Sequence, residues 1–526
     1  MRNRTPLSLI AVLLFSGCSS LSPQVVEGEL GFLRSAVLAP AGSGGRAVGG
    51  GRELVERAWV PGETISLGGV QDQAPAVPEC LALFSVPLGD VDSMISMGGE
   101  APNTALAWSP DGRRLAVGTH RGEVLLLDGW TGKELGRRKL AETMVKAVAW
   151  SLDGETVYAA EQSPDAYVHA LNVPSLASNW RFRIADELET SMSPPATDVY
   201  GVYTLPAAWS VQVLSNGDLL VAGTHSWLVD GARRNRARLW RLAADGAVVR
   251  AWPKEGPADA TLLFPHVDEK ADLLTVAVGR SAPGTAPTGL AVGGLQVLSL
   301  SDFAPRAELQ MEPLAPHFTR AAPWEAVDVL GEHVFAGYSD GRAAVFPLHG
   351  EPTILELGTP YLAGDVPLAS PVSWGFLRGG DTAESVVSAT GDTNIPWGSK
   401  TTATRPPSPH PKANRLTVYG LDSALRWAWS GEWVLQGLSA SPDGSHVVVG
   451  GGDRSSDDRR DLFGALIFRL DGEGTGAERL EATCSTESPV FFRQALHDDG
   501  RVAVSEVPWK GEDGSVLGSY RVTVLR

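Results

Sequence analysis

Carboxylates and arginines are interleaved over residues 452–461, which read Gly-Asp-Arg-Ser-Ser-Asp-Asp-Arg-Arg-Asp. Carboxylate oxygens are the ligands that a hard cation such as Ca²⁺ prefers. The arginines in the same segment can pair with these carboxylates, so the pattern favours a solvated loop with internal ion pairs over a metal site. We predict no metal and no other cofactor, and we take Arg454 and Asp457 as candidate contacts for a partner.

Motifs for catalysis are absent from the sequence. It contains no Gly-x-Ser-x-Gly, no His-Glu-x-x-His, no Cys-x-x-Cys and no Gly-Lys-Ser/Thr loop. The ten histidines are scattered without metal-ligand spacing. Thr119-His120 and Thr224-His225 each follow an apolar run, where hydrogen bonding within a turn or between neighbouring repeats is the simplest role of the histidines. The sequence therefore predicts no catalytic residue and favours a binding function over an enzymatic one.

The first 18 residues have the pattern of an export signal. Arg2 and Arg4 precede an apolar run from Leu7 to Phe15, and small residues lead to Cys18. The apolar run is too short to span a bilayer. Phe15-Ser-Gly-Cys18 resembles the lipobox of bacterial lipoproteins, which implies that Cys18 carries a lipid and becomes the mature N-terminus. The alternative is an ordinary signal peptide followed by an incidental cysteine.

Residues 18–79 have the composition of a tether. Ala-Gly-Ser-Gly-Gly at 41–45 and Gly-Gly-Gly at 49–51 are typical of flexible linkers. About thirty such residues reach about 30 Å, enough to separate a domain from a membrane surface. We therefore predict a signal peptide over 1–17, a lipidated cysteine and tether over 18–79, and a folded domain over 80–526.

Composition and charge restrict the class of protein and its partners. The chain has 59 glycines and 36 prolines among 526 residues and few helix-type runs, which indicates an all-β protein. Its formal net charge is −17, and removal of residues 1–17, with two arginines and no acid, lowers it to −19. Because a strongly acidic surface repels phosphate backbones, we predict no nucleic-acid partner.

One pattern of strands and turns recurs from about residue 80 to the end. The clearest copy covers 105–137, where short apolar strands alternate with turns such as Ser-Pro-Asp-Gly at 109–112. We count eight copies, whose spacing exceeds the 40–45 residues of a typical blade because of insertions. Their first strands are predicted to begin near Ala105, Lys146, Trp209, Asp259, Trp324, Pro371, Val434 and Val490.

Two families resemble these repeats. The turns at 108–112, 150–154, 339–341 and 441–444 resemble those of WD-repeat proteins, and 168–180 resembles a quinoprotein-type repeat with its Trp-bearing fourth strand. Both resemblances imply an all-β fold, a single β-propeller of four-stranded blades. We expect eight blades, with seven as the alternative.

The two ends of the chain are predicted to share the last blade. The strand from Tyr520 to Arg526 leaves that blade without a fourth strand, and the early run from Cys80 to Val86 is the natural donor. Sharing a blade closes the ring and removes exposed sheet edges. Cys484, which enters the last blade, would then lie near Cys80, and an exported chain can hold a Cys80–Cys484 disulfide. Two unpaired thiols are the alternative.

Long insertions and tryptophans are the features most informative about binding. Residues 225–236, 280–293, 391–413, 451–462 and 507–517 fall between predicted second and third strands, and 185–205 and 359–370 fall between repeats. In a four-stranded blade these two types of connection emerge on the same face, and loops on a rigid scaffold carry recognition. Trp227 and Trp397 lie in insertions and are candidate partner contacts, and we expect 391–413 to be dispensable for folding.

Two functions of different classes remain open. The first is a lipid-anchored scaffold of the bacterial cell envelope that binds a protein or a polysaccharide through its insertion-rich face. The turn Leu-Asp-Gly-Trp-Thr-Gly at 127–132 resembles those of the lipoprotein propeller of the outer-membrane barrel-assembly machinery, which implies the outer membrane, with the side left open. The alternative is an enzyme, a hydrolase, lyase or quinoprotein, with its site in the central funnel.

Overall fold

The structure is a computed structural model, and it describes a defined part of the 526 residues. The described residues are 78–89, 105–189, 205–229, 232–279, 294–311, 325–357, 361–379, 385–396, 401–403, 406–452, 463–472, 474–510 and 515–526. Every structural statement below concerns these residues.

The regular secondary structure of the described chain is almost entirely β-strand. The strands up to the middle of the chain are β1 (Ala82–Gly89), β2 (Ala105–Trp108), β3 (Arg114–Gly118), β4 (Glu123–Asp128), β5 (Glu134–Lys139), β6 (Met144–Trp150), β7 (Thr156–Gln162), β8 (Tyr167–Asn172), β9 (Ser178–Arg183), β10 (Ala207–Val213), β11 (Leu219–Val229), β12 (Ala232–Leu242), β13 (Val248–Trp252), β14 (Thr261–Asp268), β15 (Leu273–Gly279), β16 (Leu295–Ser299) and β17 (Pro305–Leu309).

The second half continues in the same way. Its strands are β18 (Val327–Leu330), β19 (His333–Gly337), β20 (Arg342–Pro347), β21 (Thr353–Leu357), β22 (Tyr361–Ala363), β23 (Val366–Leu368), β24 (Val372–Arg378), β25 (Ser385–Thr390), β26 (Arg415–Gly420), β27 (Leu425–Ser430), β28 (Leu435–Ala440), β29 (His446–Gly451), β30 (Gly464–Arg469), β31 (Leu480–Ser485), β32 (Val490–Leu496), β33 (Val502–Glu506), β34 (Trp509–Lys510), β35 (Val516–Leu517) and β36 (Tyr520–Leu525). Two single helical turns, α1 (Ile184–Glu187) and α2 (Gly476–Arg479), lie between strands.

The strands form eight four-stranded antiparallel units among the described residues. In seven units the four strands follow one another along the chain, namely in β2–β5, β6–β9, β10–β13, β14–β17, β18–β21, β24–β27 and β28–β31. The second and third units are also joined by one backbone pair, between Gln162 and Ala207. The eighth unit has the order β1-β36-β33-β32, so the two ends of the described chain share it. The first strand of each unit contacts the first strand of the next, and β32 contacts β2. The units therefore form a closed ring, and the predicted all-β propeller is confirmed.

The turns between first and second strands explain why the repeats fold alike. In Ser109-Pro-Asp-Gly112 and Ser441-Pro-Asp-Gly444 the serine Oγ donates to the aspartate Oδ1 at 2.6 Å, and the glycine has a φ of +65° or +69°. The Ser441 hydroxyl, together with the N–H and hydroxyl of Ser445, stabilises the carboxylate and lowers the pKa of Asp443 to about 2. Such side-chain to backbone bonds specify the turn locally.

The apolar core lies between neighbouring sheets. The cluster at the ring closure, for example, packs Leu115 and Leu125 of the first unit against Val522 and Val524 of the eighth. Tryptophans of the first strands hold these layers together: Trp150 Nε1 donates to the Ala107 carbonyl of the preceding unit at 2.9 Å. Burial of such large aromatic rings explains the abundance of tryptophan in first strands.

A disulfide lies where the ring closes. Cys80, two residues before β1, is bonded to Cys484, and their Cα atoms are 4.7 Å apart. Cys484 was expected in the connection entering the last unit, but it lies in β31, the fourth strand of the seventh unit. Residues just before β1 pair in parallel with this strand, since the Cys80 N–H donates to the Thr483 carbonyl at 3.2 Å. The disulfide therefore joins the outer edges of the seventh and eighth units.

Candidate functional site

The long connections of the ring share one face, which we call the insertion face. Because neighbouring strands are antiparallel, connections between second and third strands and connections between units emerge on the same side. The ranges 280–293, 391–413, 451–462 and 507–517 all lie between a second and a third strand, and 359–370 lies between the fifth and sixth units. The opposite face carries short turns such as 109–112 and 151–154.

Residues 225–236 were expected to be a loop, and this expectation is wrong. They are the outer half of a β-hairpin, because β11 and β12 are paired without interruption from Leu219–Leu242 to Val229–Ala232. We call residues 225–236 the ribbon. The sequence suits such a pairing, since β-branched, aromatic and long residues stand on both sides of a single Asp-Gly pair, which is a strong hairpin signal.

The ribbon places Trp227 opposite an arginine. Trp227 pairs with Arg234 in the antiparallel register, so their side chains lie on the same face. The Trp227 ring is 4.8 Å from the His225 ring, and both Trp227 and Arg234 are half-buried. On the other face, Ser226 and Asn235 are buried, and the Ser226 hydroxyl donates to Asn235 Oδ1 at 2.5 Å.

The insertion 391–413 is packed into the structure where it is described. Its Asn394 exchanges backbone hydrogen bonds with Ala369, and the Thr393 hydroxyl accepts the N–H of His410 at 2.6 Å. Ile395 packs beside the buried Val366 and Leu368 of the β22–β23 hairpin. These contacts contradict the expectation that the segment is dispensable for folding, because apolar and polar groups would be uncovered without it.

Several predicted contacts fall outside the described residues. Trp397, Arg454 and Asp457 lie there, as does the proposed lipid attachment at Cys18. Of the four predicted partner contacts, Trp227 alone belongs to the described chain.

The first of the two predicted inter-repeat histidines has the role expected of it. His120 is buried, its backbone N–H donates to the Tyr520 hydroxyl at 3.3 Å, and the two rings are 4.5 Å apart. This contact links the first unit to the eighth. His225 lies on the ribbon beside Trp227, and its neighbour Thr224 donates to the Leu262 carbonyl of the fourth unit at 3.1 Å.

A second candidate site is the central channel. A cavity of about 320 Å³ is lined by residues on or next to the first strands, including Lys146, Trp209, His266 and Glu325. The Lys146 ammonium is 3.9 Å from the centre of the Trp209 ring, a cation–π contact in which both residues are buried. The edge of Phe264 meets Trp209 at 6.2 Å between ring centres. Charged and aromatic groups therefore converge in the channel.

Asp328 lies beside this cavity and has an altered ionisation. Its carboxylate is 3.6 Å from His266 Nδ1 and accepts the N–H groups of Val329 and Leu377, each at 2.8 Å. Burial, assisted by the negative charge of Asp268, outweighs these hydrogen bonds and raises the pKa of Asp328 to about 7. The carboxylate therefore changes charge near neutral pH.

Sequence reasoning missed the channel residues. Lys146 stands in Met-Val-Lys-Ala-Val-Ala-Trp at 144–150 and Asp328 in Ala-Val-Asp-Val-Leu at 326–330. A charged residue inside an otherwise apolar first strand is the signal that could have identified both, since such a strand has one side towards the channel.

Two classes of site are absent from the described residues. No group of three or more His, Cys, Asp or Glu side chains there is arranged to hold a metal ion. No helix within those ranges has the length and apolar character that crossing a membrane requires.

One protein family matches part of the chain. A family model described as the anaphase-promoting complex subunit 4 WD40 domain matches residues 95–153, which include the first unit and the first strand of the second. The resemblance to WD repeats is therefore confirmed over this part. No curated protein sequence matches the chain.

Solved structures of similar shape have low sequence identity to the chain. The C-terminal WD40 domain of Sif2 is 13% identical with a TM-score of 0.49, over 86% of this chain and 99% of that one. The computationally designed Ika8 protein is 16% identical with a TM-score of 0.46, over 80% and 96%. BamB from Moraxella catarrhalis is 13% identical with a TM-score of 0.45, over 85% and 97%. The fold described above rests on strand pairing and not on these likenesses.

Proposed function

We propose that this protein is a scaffold of the bacterial cell envelope that binds a protein or an envelope polymer through its insertion face. The observation that carries the proposal is the separation of long from short connections. Long connections and the ribbon share one face of a closed ring, whereas the described turns of the other face are tight and locally hydrogen-bonded. Variable loops on a rigid scaffold are a common recognition surface.

The cellular setting is proposed from the sequence. A lipid on Cys18 and a tether over 18–79 would hold the ring close to a membrane while leaving it free to turn. The turn at 127–132 resembles those of the barrel-assembly lipoprotein propeller, so we propose the outer membrane as the location and outer-membrane protein assembly as the process. The partner would then be another envelope protein.

Site-specific photo-crosslinking in cells of the native host tests the proposal. A photo-reactive amino acid replaces Glu189 or Glu487, which border the insertion face, or Arg113 or Leu152, which lie in turns of the opposite face. All four side chains are well exposed, so accessibility is matched. We expect adducts of discrete size from the insertion-face positions only. Adducts that arise mainly from Arg113 and Leu152 would contradict the proposal.

The channel supports a second candidate function. Lys146, His266 and Glu325 surround a cavity whose volume lies at the lower end of the range for small-molecule sites. This arrangement is what an enzyme with its site in the funnel requires. Lys146→Met and Glu325→Gln variants would then abolish an activity that ribbon variants retain. If an activity of the purified protein survives both channel substitutions, this candidate fails.

A further inference from the structure

The ribbon extends beyond the sheet that carries it. The last residue of β10 pairing with β11 at this end is Ala207, which lies opposite Thr224. Residues 225–229 of β11 therefore continue past the first strand of their own unit, paired with 232–236. Five residues of extended strand span about 16 Å. The ribbon is thus a two-stranded arm on the insertion face.

The arm is basic although the chain is acidic. The strand β12 contains five arginines and no acidic residue, whereas the whole chain has a net charge of −17. The arginines are Arg233, Arg234, Arg236, Arg238 and Arg241.

Three of these arginines are paired with acids or carbonyls near the base. Arg241 contacts Asp218 at 2.7 Å, and Arg238 contacts Glu187 at 3.4 Å as well as two backbone carbonyls. Arg236 contacts Glu189 at 3.2 Å. Arg234 makes no hydrogen bond or ion pair with any residue in the described ranges, and it is half-buried, so part of its side chain reaches solvent. Unneutralised positive charge is therefore available at Arg234.

Trp227 supplies an aromatic surface at the same point. It lies directly opposite Arg234 on the same face of the arm, and the neighbouring His225 ring supports it. On the reverse face of the arm, Ser226 and Asn235 are buried. At the base of the arm, the Thr224 hydroxyl donates to the Leu262 carbonyl of the next unit at 3.1 Å. Trp227 and Arg234 are thus presented together on the more accessible face. Tryptophan and arginine are the residue types most enriched at the energetic centres of protein interfaces.

We propose that Trp227 and Arg234 form a docking site for a carboxylate-bearing segment of a partner protein. This inference rests on the proposed function and names the partner chemistry of the insertion face. The Arg234 guanidinium would bind an Asp or Glu carboxylate through two parallel hydrogen bonds, while the indole packs against the apolar stem of the same segment. An anionic membrane surface fits less well, because such binding uses clusters of four or more basic side chains, whereas three of the five arginines of β12 are already paired with acids.

Binding of short charged peptides to the full-length protein tests the site. The probe is a fluorescein-labelled peptide of ten glutamates, with ten lysines as the opposite charge, measured by fluorescence anisotropy. We expect R234E to weaken glutamate-peptide binding about tenfold, and R234Q and W227A to weaken it about threefold to fivefold. The matched control is R113E, because Arg113 is exposed on the opposite face. It should change the affinity less than about twofold, as expected for a charge change far from the site.

Three outcomes would overturn the inference. Equal weakening by R113E and R234E would show a long-range charge effect and no site. Unchanged affinity in both R234E and W227A would remove the two residues from the site. Ribbon-dependent binding of phosphatidylglycerol vesicles, without binding of the glutamate peptide, would assign the arm to the membrane. Thermal unfolding of each variant, together with the near-isosteric R234Q, separates loss of binding from loss of fold.

Failure of this site and failure of the proposed function give different results. If crosslinks arise from Glu189 and Glu487 but R234E changes nothing, the insertion face binds its partner elsewhere. If crosslinks arise from the opposite face, the scaffold proposal fails even when the glutamate peptide binds the arm.

Discussion

The guanidinium of Arg501 lies 4.0 Å from the centre of the Trp130 ring, so a residue of the last unit stacks on a residue of the first. Trp108 lies 4.6 Å from the same guanidinium, which also donates to the Gly112 and Gly129 carbonyls at 2.6 Å and pairs with Asp499. Arg501 is 1% exposed. The buried Arg501 guanidinium therefore joins the first and last units on the face opposite the insertion face. The disulfide joins the seventh and eighth units at their outer edges.

Removal of the Arg501 guanidinium should weaken the contact between the first and last units. We expect Arg501→Met to lower the free energy of unfolding by about 3–5 kcal/mol, because Asp499 and two carbonyls lose a buried partner. Arg501→Lys should recover only part of the loss, since lysine has no planar group to stack between two rings. Urea unfolding measures the change, and Arg113→Met, at an exposed position, is the control. An unfolding free energy within about 1 kcal/mol of the wild type would show that the contact is dispensable.

The Cys80–Cys484 link should be recovered from the folded protein. Peptide mapping without reductant should yield the two cysteines in one linked fragment. Because the bridge spans 404 residues, Cys80→Ser should lower the free energy of unfolding by about 2–5 kcal/mol. Cys484→Ser and the double variant should give the same loss within error. Two freely alkylated thiols in the folded protein would contradict the bridge but not the ring.

The proposed lipid anchor depends on one atom, the Cys18 sulfur. Cys18→Ala should move the protein from the membrane fraction to the soluble fraction of cells, because the proposed lipid would be attached through this residue alone. The unchanged thermal stability of the purified domain serves as a control for folding. A variant that remains in membranes after washing without detergent would show that something other than Cys18 holds it there.

Stability should depend on pH through Asp328. With a folded pKa of about 7 against an ordinary 3.8, the folded state holds a proton that the unfolded chain releases. The resulting stabilisation is complete below about pH 4 and is lost as the pH rises through 7. The carboxyl is 18% exposed, so channel water weakens the effect, and we expect a loss of about 1–3 kcal/mol between pH 5 and 8.

Asp328→Asn should remove this loss and make the variant relatively more stable above pH 7. Asp443→Asn is the comparison, because the pKa of Asp443 is lowered to about 2 and its contribution is lost only under acid conditions. Chemical unfolding at a series of pH values gives both curves. Parallel curves for the wild type and Asp328→Asn between pH 5 and 8 would exclude Asp328 as the titrating group.

Replacement of 391–413 by a short Gly/Ser turn should lower the melting temperature. The described part of this segment covers Val366 and Leu368, which are otherwise buried, and holds His410 against Thr393. Ile395→Ala alone should give a smaller decrease in the same direction, since it removes apolar contact without changing the chain length. A shortened protein with the melting temperature of the wild type would show that these contacts contribute nothing.

Strand order and turn positions could be predicted from the sequence because they are local. The predicted first strands at Ala105, Lys146 and Trp209 begin within two residues of the observed starts at Ala105, Met144 and Ala207. Short apolar runs separated by Ser-x-Asp-Gly turns carry this information, and the turns close on hydrogen bonds between residues two to five apart. The pairing of β1 with β36 could also be predicted, because the last blade lacked a fourth strand and the start of the chain could supply one.

The tertiary structure decided what those elements bring together. The ribbon was interpreted as a loop because its composition is polar, and only the continuous register with β11 shows that Trp227 faces Arg234. Arg501 and Trp130, 371 residues apart, meet only because the ring closes. Lys146 belongs to the second unit, His266 to the fourth, and both Glu325 and Asp328 to the fifth, and they converge because each first strand has one side towards the channel. Sequence determines the strands through local periodicity and turn chemistry, whereas contacts between units depend on the curvature and closure of the whole ring, which no single segment encodes.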